Sequence, residues 1–186
     1  MKRKIVIGIT GASGAPYARR LLQLLAPRPD VEIGICISQT APEVWALECG
    51  GDLRESLGQP VWGVRDYNAP FASGSAGWHA MVVVPCSMGT AARIAHGISD
   101  TLLTRAADVM LKERRTLIVV PRETPLGLVH LENLTSLTRA GALVLPAMPS
   151  FYSKPISLDD ALDTVVGRIL DHLKLEHTLL RRWRAS

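Results

Sequence analysis

The sequence predicts an α/β architecture: a doubly wound, mainly parallel sheet held between two layers of helices. Two observations carry that expectation. Apolar, β-branched runs alternate along the chain with segments of helical period. The runs are continuously apolar rather than alternating in polarity, as strands buried on both faces are. With 186 residues the chain can bury a core of its own as one domain, and no repeat or low-complexity tract interrupts it.

The elements follow in order. Residues 4–9 are a short β-branched run closing in Thr10-Gly11-Ala12-Ser13-Gly14, and a helical pattern then runs from Pro16 to Leu25. Residues 31–37 read as a second buried strand, followed by a helix around 42–48. Residues 81–84 are a third strand, closed by Pro85-Cys86-Ser87-Met88-Gly89-Thr90 and a helix that Gly97 ends. Asp100 has the character of an N-cap for a long helix reaching Arg115. Residues 116–120 form a Val/Ile-rich strand ending at Pro121-Arg122-Glu123-Thr124-Pro125, and a helix over 130–139 follows, with Gly141 just past its end. The last strand, 142–145, leads into a proline-bearing loop over 146–155. Ser157-Leu158-Asp159-Asp160 then resembles a capping box for a final helix reaching about residue 174. The stretch 50–77 is rich in Gly, Pro and Ser and weakly periodic; long irregular connections of this kind are often functional.

Composition excludes several classes. Hydrophobic residues make up 47% and charged residues 20%, which places the chain among globular proteins rather than disordered ones. A formal net charge of +4 suits an anionic ligand such as a phosphate ester and is too weak to argue for nucleic acid. Cys36, Cys49 and Cys86 form an odd set without zinc spacing, so a reducing, cytoplasmic setting is expected. The opening Met1-Lys2-Arg3-Lys4 with Ile5–Ile9 imitates a secretion signal. Its apolar stretch falls short of the usual core of about 7–15 residues, so it is read as the first strand. No apolar run approaches the roughly 20 residues that span a bilayer, so no membrane role is expected.

In an open parallel sheet, ligands bind beyond the carboxyl ends of the strands. Those ends carry Gly11, Ala12, Ser13 and Gly14; Ser38; Ser87, Met88, Gly89 and Thr90; Arg122 and Glu123; and Tyr152. Two of these loops open into helices, whose leading N–H groups favour a phosphate. Each loop also has a plainer explanation. The Gly-Ala-Ser-Gly turn can be a tight connection with a serine cap, Ser87 a cap and no more, and Arg122 and Glu123 a solvated pair. Their convergence favours a phosphate-bearing cofactor. The first loop reads Gly8-x-x-Gly11-x-x-Gly14 rather than G-x-G-x-x-G, and Ser38-Gln39 offers no acid for a ribose hydroxyl. With no G-K-[ST] either, a mononucleotide such as FMN is what remains. His130-Leu131-Glu132 resembles half of a deaminase zinc motif, but without P-C-x-x-C it reads as the first turn of a helix. His79 and His96 read as structural, and Arg181-Arg182-Trp183-Arg184 as a subunit contact or solvated end.

Long motifs in register allow a family to be named. Thr10–Ala15, Pro85–Thr90, Arg105-Ala106-Ala107-Asp108-Val109, Leu111–Arg115, Val120–Pro125, His130–Asn133 and Phe151-Tyr152 stand in the order seen in UbiX-type flavin prenyltransferases, long described as aromatic-acid decarboxylase subunits. The chain resembles that family from Ile5 to about Leu173. The resemblance implies a flavodoxin-like (Rossmann-like) three-layer fold forming one flavoprotein domain over 1–186. It implies a tail from about residue 175 packed on a neighbouring subunit, assembly into homododecamers, and sites at subunit contacts. The implied reaction joins the five-carbon unit of dimethylallyl monophosphate to N5 and C6 of reduced FMN without a metal. Its product, prenylated FMN, passes to a UbiD-type decarboxylase.

By position, the resemblance places FMN on Gly11, Ala12, Ser13, Ser38, the Ser87–Thr90 loop (with Met88 and Gly89) and Arg122. It gives the allylic phosphate to Lys112, Tyr152 and Arg168, with Arg122 and Glu123 nearby. Glu48 and Ser13 lie by the reacting centre, and Glu123 moves the proton. Arg105 falls in a matching motif without an assigned role. Relatives carry a tryptophan where this chain has Tyr67, ahead of Asn68-Ala69-Pro70-Phe71-Ala72-Ser73-Gly74-Ser75, so the π-face offered to an allyl cation is weaker. Trp183 stands where a C-terminal aromatic would close the site. Two other functions fit the same fold: an FMN-dependent decarboxylase of the peptidyl-cysteine type, and a non-catalytic FMN-binding accessory subunit.

Overall fold

The fold is that of a computed structural model describing residues 2–180, so the expectations for Trp183 and the Arg181–Arg184 segment fall outside the described residues. Six parallel strands form one sheet: β1 (Arg3–Ile9), β2 (Val31–Ile37), β3 (Val61–Trp62), β4 (Ala80–Cys86), β5 (Thr116–Pro121) and β6 (Leu143–Val144). Their order is β3-β2-β1-β4-β5-β6, so the winding reverses between β1 and β4. Seven α-helices accompany them among the described residues: α1 (Ala15–Leu25), α2 (Ala41–Cys49), α3 (Leu53–Leu57), α4 (Met88–Ala95), α5 (Leu102–Lys112), α6 (Leu128–Arg139) and α7 (Leu158–His172). None is long and apolar enough to cross a membrane.

The strands are buried on both faces because the pleat sends alternate side chains to opposite layers. Ile5, Ile7 and Ile9 of β1, with Val82 and Val84 of β4 and Ile118 and Val120 of β5, pack against Leu21 and Leu25 of α1, Trp45 of α2 and Val166 and Ile169 of α7. Val6, Met81, Val83 and Val119 face the other way onto Leu103, Ala107 and Met110 of α5, Ala91 and Ile94 of α4, and Leu137 of α6. A salt bridge ties the first layer, with Arg20 of α1 on Asp163 of α7 at 2.7 Å.

Element limits differ from the sequence expectation where local chemistry decides. The N-cap of α5 is Thr101, not Asp100: Thr101 has the extended backbone of a cap and exchanges a capping box with Thr104. The same helix ends at Lys112 rather than Arg115, because Arg114 adopts a left-handed φ of 54° before β5 begins. Helix α6 starts two residues early, with the His130 ring accepting the Gly127 N–H at 3.2 Å. The Ser157–Asp160 capping box of α7 is formed as expected.

The stretch 50–77 is more ordered than its composition implied. Asp52 caps α3 by accepting from Arg54 and Glu55 N–H, β3 pairs with the edge of β2, and Gly74–Ala76 makes a 3-10 turn. Phe71 anchors it from within, edge-on to Trp62 and Trp78 with ring centroids 5.3 Å apart in each pair. The segment from Leu175 to Leu180 lies on its own chain, with Leu175 buried and Arg28 donating to the Glu176 carbonyl at 2.9 Å.

Candidate active site

The reversal between β1 and β4 opens a crevice at the strands' carboxyl ends, and Thr10 stitches its two sides together. Its buried hydroxyl donates to the Pro85 carbonyl at 2.7 Å and accepts the Ser87 N–H at 2.9 Å, so the loops after β1 and β4 are tied together. A groove beside them is lined by Ser38 and Thr40 beyond β2, Ser87, Gly89 and Thr90 at the start of α4, and Arg65, Arg93 and Thr101 opposite. Ser87 caps α4 by accepting the Thr90 N–H at 3.3 Å. The Met88 and Gly89 N–H groups have no acceptor among the described residues. Free amides at a helix start, ringed by hydroxyls and arginines, are a set of donors for a phosphate monoester. Gly11 is required by close approach: a Cβ there would stand 2.0 Å from Thr40 Oγ1 and 2.6 Å from Thr40 Cβ.

The other amides expected to be open are taken. Gly14, held at a φ of 118° that glycine alone adopts at no steric cost, turns the chain into α1. Its N–H and that of Ala15 both donate to Glu48 Oε2 at 2.8 Å, so the carboxylate at the end of α2 fills the N-terminus of α1. Burial pushes the Glu48 carboxyl up. Bonds from Ser13, Gly14 and Ala15 and the nearby Arg122 charge outweigh this and hold it below its ordinary value. Arg122 Nε in turn donates to the Ser13 carbonyl at 2.9 Å, and its N–H to Cys86 O at 3.3 Å. Ser13, Glu48 and Arg122 thus form one hydrogen-bonded cluster at the mouth of the crevice. Glu123, next in the chain, is exposed and accepts the Thr124 N–H at 2.9 Å.

The remaining sequence candidates lie elsewhere in the chain. Lys112 ends α5, whose N-cap Thr101 lines the groove. Eleven residues of helix carry it roughly 16 Å away. There its ammonium meets Glu113 at 2.7 Å beside Arg115 and Arg139. Arg168 descends α7 toward the strands' amino ends, where Arg3 donates to the Lys174 carbonyl at 2.9 Å. Tyr152 sits in the loop after β6, lining a separate cleft with Lys154, Asp163 and Thr164. Arg168 is one turn of α7 beyond Thr164. Tyr67 is half-exposed, two residues past Arg65 at the groove's edge. One chain therefore brings together Gly11, Ser13, Ser38, the Ser87–Thr90 loop, Glu48 and Arg122, and leaves Lys112, Tyr152 and Arg168 apart from them.

Sequence inspection passed over Thr10, Thr40 and Arg65. Thr40, a cap-type residue just before Ala41-Pro42, carried a usable signal; Arg65, inside an irregular stretch, carried none. His79, His96 and His130 are structural: His79 Nδ1 accepts the Lys4 N–H at 3.0 Å, His96 meets Asn133 at 3.0 Å, and His130 caps α6. Cys36 and Cys86 are fully buried, and burial pushes the Cys86 thiol up to about 12.

Known proteins match this arrangement along nearly its whole length. The model of the family Flavoprotein matches residues 1–182. A flavin prenyltransferase UbiX of Methanothermobacter thermautotrophicus is 46% identical over 184 residues, covering 97% of this chain and 95% of that protein. Among solved structures, a dodecameric FMN-dependent UbiX-like decarboxylase from Escherichia coli O157:H7 is 43% identical with a TM-score of 0.94, covering 98% of this chain and all of that one. AnUbiX (PadA1), solved with FMN and dimethylallyl pyrophosphate, is 41% identical with the same TM-score of 0.94 and full coverage of both chains. The likeness extends over nearly the whole chain, and the chain belongs to the flavoproteins and, among them, to the UbiX-type flavin prenyltransferases.

Proposed function

We propose that this enzyme transfers a dimethylallyl group from a dimethylallyl phosphate to N5 and C6 of reduced FMN, making prenylated FMN for a UbiD-type decarboxylase. The observation that carries this is the Ser13–Glu48–Arg122 cluster set beside a groove of free amides and hydroxyls. An anion-binding groove and a charged cluster side by side suit a mononucleotide whose ring system reaches the cluster. The full-length likeness to a protein solved with FMN and dimethylallyl pyrophosphate supports the pairing of ligands.

Reduced FMN supplies the electron-rich N5 and C6 to which the five-carbon unit is joined. The chain's part begins with the FMN phosphate, held by the Met88 and Gly89 N–H groups and the hydroxyls of Ser38, Thr40, Ser87 and Thr90. Arg122, fixed by the Ser13 carbonyl, stands toward the leaving phosphate with Glu123 beside it. An allylic carbon–oxygen bond ionises readily once its leaving phosphate is neutralised, and Arg122, Lys112 and Arg168 supply that charge. Glu123 donates a proton to the departing phosphate and accepts one as the ring closes. Glu48, ionised and anchored on the start of α1, keeps Ser13 in place near the reacting centre. Tyr67 turns its π-face to the developing cation.

Lys112 and the pair Tyr152 and Arg168 reach such a site from neighbouring copies in a homododecamer. The distance between Lys112 and the groove within one chain supports this, as does the dodecameric relative. Free thiols at Cys36, Cys49 and Cys86 suit a reducing cytoplasm. The test is mass spectrometry of flavin extracted after anaerobic incubation with reduced FMN and dimethylallyl monophosphate, then with the pyrophosphate. A flavin heavier by one five-carbon unit, absent without enzyme, is expected. Unmodified FMN with both donors would overturn the proposal in favour of an accessory or decarboxylase function.

A further inference from the structure

Arg168 does not hang free on α7. Its Nη1 donates to Asp171 Oδ2 at 2.8 Å, and the other carboxylate oxygen, Oδ1, lies 3.1 Å from His177 Nε2. The His177 ring is itself fixed. Its Nδ1 accepts the Leu179 N–H at 3.2 Å, which leaves Nε2 as the donor facing Asp171. An exposed pair three residues apart on a helix is ordinarily a weak, mobile contact. This one differs on its acid side: the Asp171 side chain is only 20% exposed and His177 only 8%, while the Arg168 side chain stays 56% exposed. The carboxylate is anchored by a buried ring, itself fixed by the Leu179 amide, and it steers a guanidinium that still faces outward. One of the five guanidinium donors is spent on Asp171, and the rest of the planar fork remains for an anion.

We infer that Asp171 and His177 are positioning residues that hold the Arg168 guanidinium for the leaving phosphate of the prenyl donor. The inference rests on the proposed role of Arg168 as a ligand of that phosphate. Both act through Arg168. Asp171 restricts the arginine to one orientation before binding, so less freedom is lost when the phosphate arrives. His177 keeps Asp171 from turning to solvent. An asparagine at 171 has a single acceptor oxygen, which can serve Arg168 or His177 but not both.

Steady-state kinetics of the assembled enzyme, with dimethylallyl monophosphate varied at saturating reduced FMN, test this. Asp171→Asn is expected to raise KM for the donor about three- to tenfold, with FMN affinity unchanged. Arg168→Gln should raise it on the order of 10- to 100-fold, the loss of a charge-assisted contact. In the Arg168→Gln background, Asp171→Asn should add nothing. His177→Gln should move KM in the same direction as Asp171→Asn, and carries the test if the latter does not fold. An unchanged donor KM in Asp171→Asn and His177→Gln, with Arg168→Gln impaired, overturns the positioning role and leaves Arg168 as the phosphate ligand. Additive losses in the double variant also overturn it, by making Asp171 a general structural acid. An unchanged KM in Arg168→Gln overturns both readings.

Discussion

Removing the Glu48 carboxylate is the most direct probe of how the crevice is built. Two backbone N–H groups, from Gly14 and Ala15, donate to one of its oxygens at 2.8 Å, at the positive end of α1. Deleting a comparable N-terminal cap costs about 0.5–2 kcal/mol, and losing a charge from the first turn about 0.3–1 kcal/mol more. Glu48→Ala should therefore destabilise the protein by about 2 kcal/mol. In a chain of 186 residues, a size at which 1 kcal/mol moves Tm by roughly 2–4 °C, that lowers Tm by roughly 4–8 °C. Glu48→Gln keeps an acceptor in place and loses only the charge, so its shift should be about a third as large. Thermal unfolding followed by circular dichroism, at one fixed protein concentration, reads both.

The pH dependence carries a definite sign. The Glu48 carboxyl is held below its ordinary value in the folded state, so its contribution is fully present above the unfolded pKa of about 4.3 and fades as pH falls through the lower folded value. The gap between wild type and Glu48→Ala should be constant from pH 6 to 8 and close in acid. A Glu48→Ala protein melting within 1 °C of wild type at pH 7, or a gap that widens in acid, would refute the assignment of Glu48 as the anchor of α1.

Other perturbations have outcomes as definite. Gly11→Ala forces a methyl against Thr40, so FMN affinity, followed by flavin fluorescence titration, should fall about tenfold or more, in keeping with an overpacking cost of about 1–3 kcal/mol. Thr10→Val leaves the Ser87 N–H without its acceptor and should cost about 1–3 kcal/mol by urea denaturation, with weaker FMN binding. Glu123→Gln should bind FMN as wild type does and slow prenylated-flavin formation by about 100-fold in single-turnover mass spectrometry; loss of FMN without a rate defect would remove Glu123 from the proton path.

What the chain's order of residues determined is what depends on near neighbours. The β-branched runs at 4–9, 31–37 and 116–120 specify strands because burial on both faces demands unbroken apolar character. Ser157 and Asp160 close a capping box from three residues apart, and Ser87 caps α4 through Thr90. Strand ends bearing Gly11, Ser38, Ser87 and Arg122 were legible for the same reason, since a parallel sheet places its loops at one edge. The two-residue strand Val61–Trp62 was not, because two residues have no period and its pairing with Ile35 and Cys36 is made across the sheet edge.

Tertiary structure alone decided the rest. Glu48 reaches the amides of Gly14 and Ala15 only because α2 packs against α1 across thirty-odd residues of chain, so an anion site expected to be vacant is filled by the protein's own carboxylate. Thr10 becomes a tie between loops through partners 75 and 77 residues away. Lys112 and Arg122 stand ten residues apart in sequence and at opposite ends of the sheet. A helix running down and a strand running back up separate them by the length of both, a separation set by where the chain reverses, which residue type does not encode.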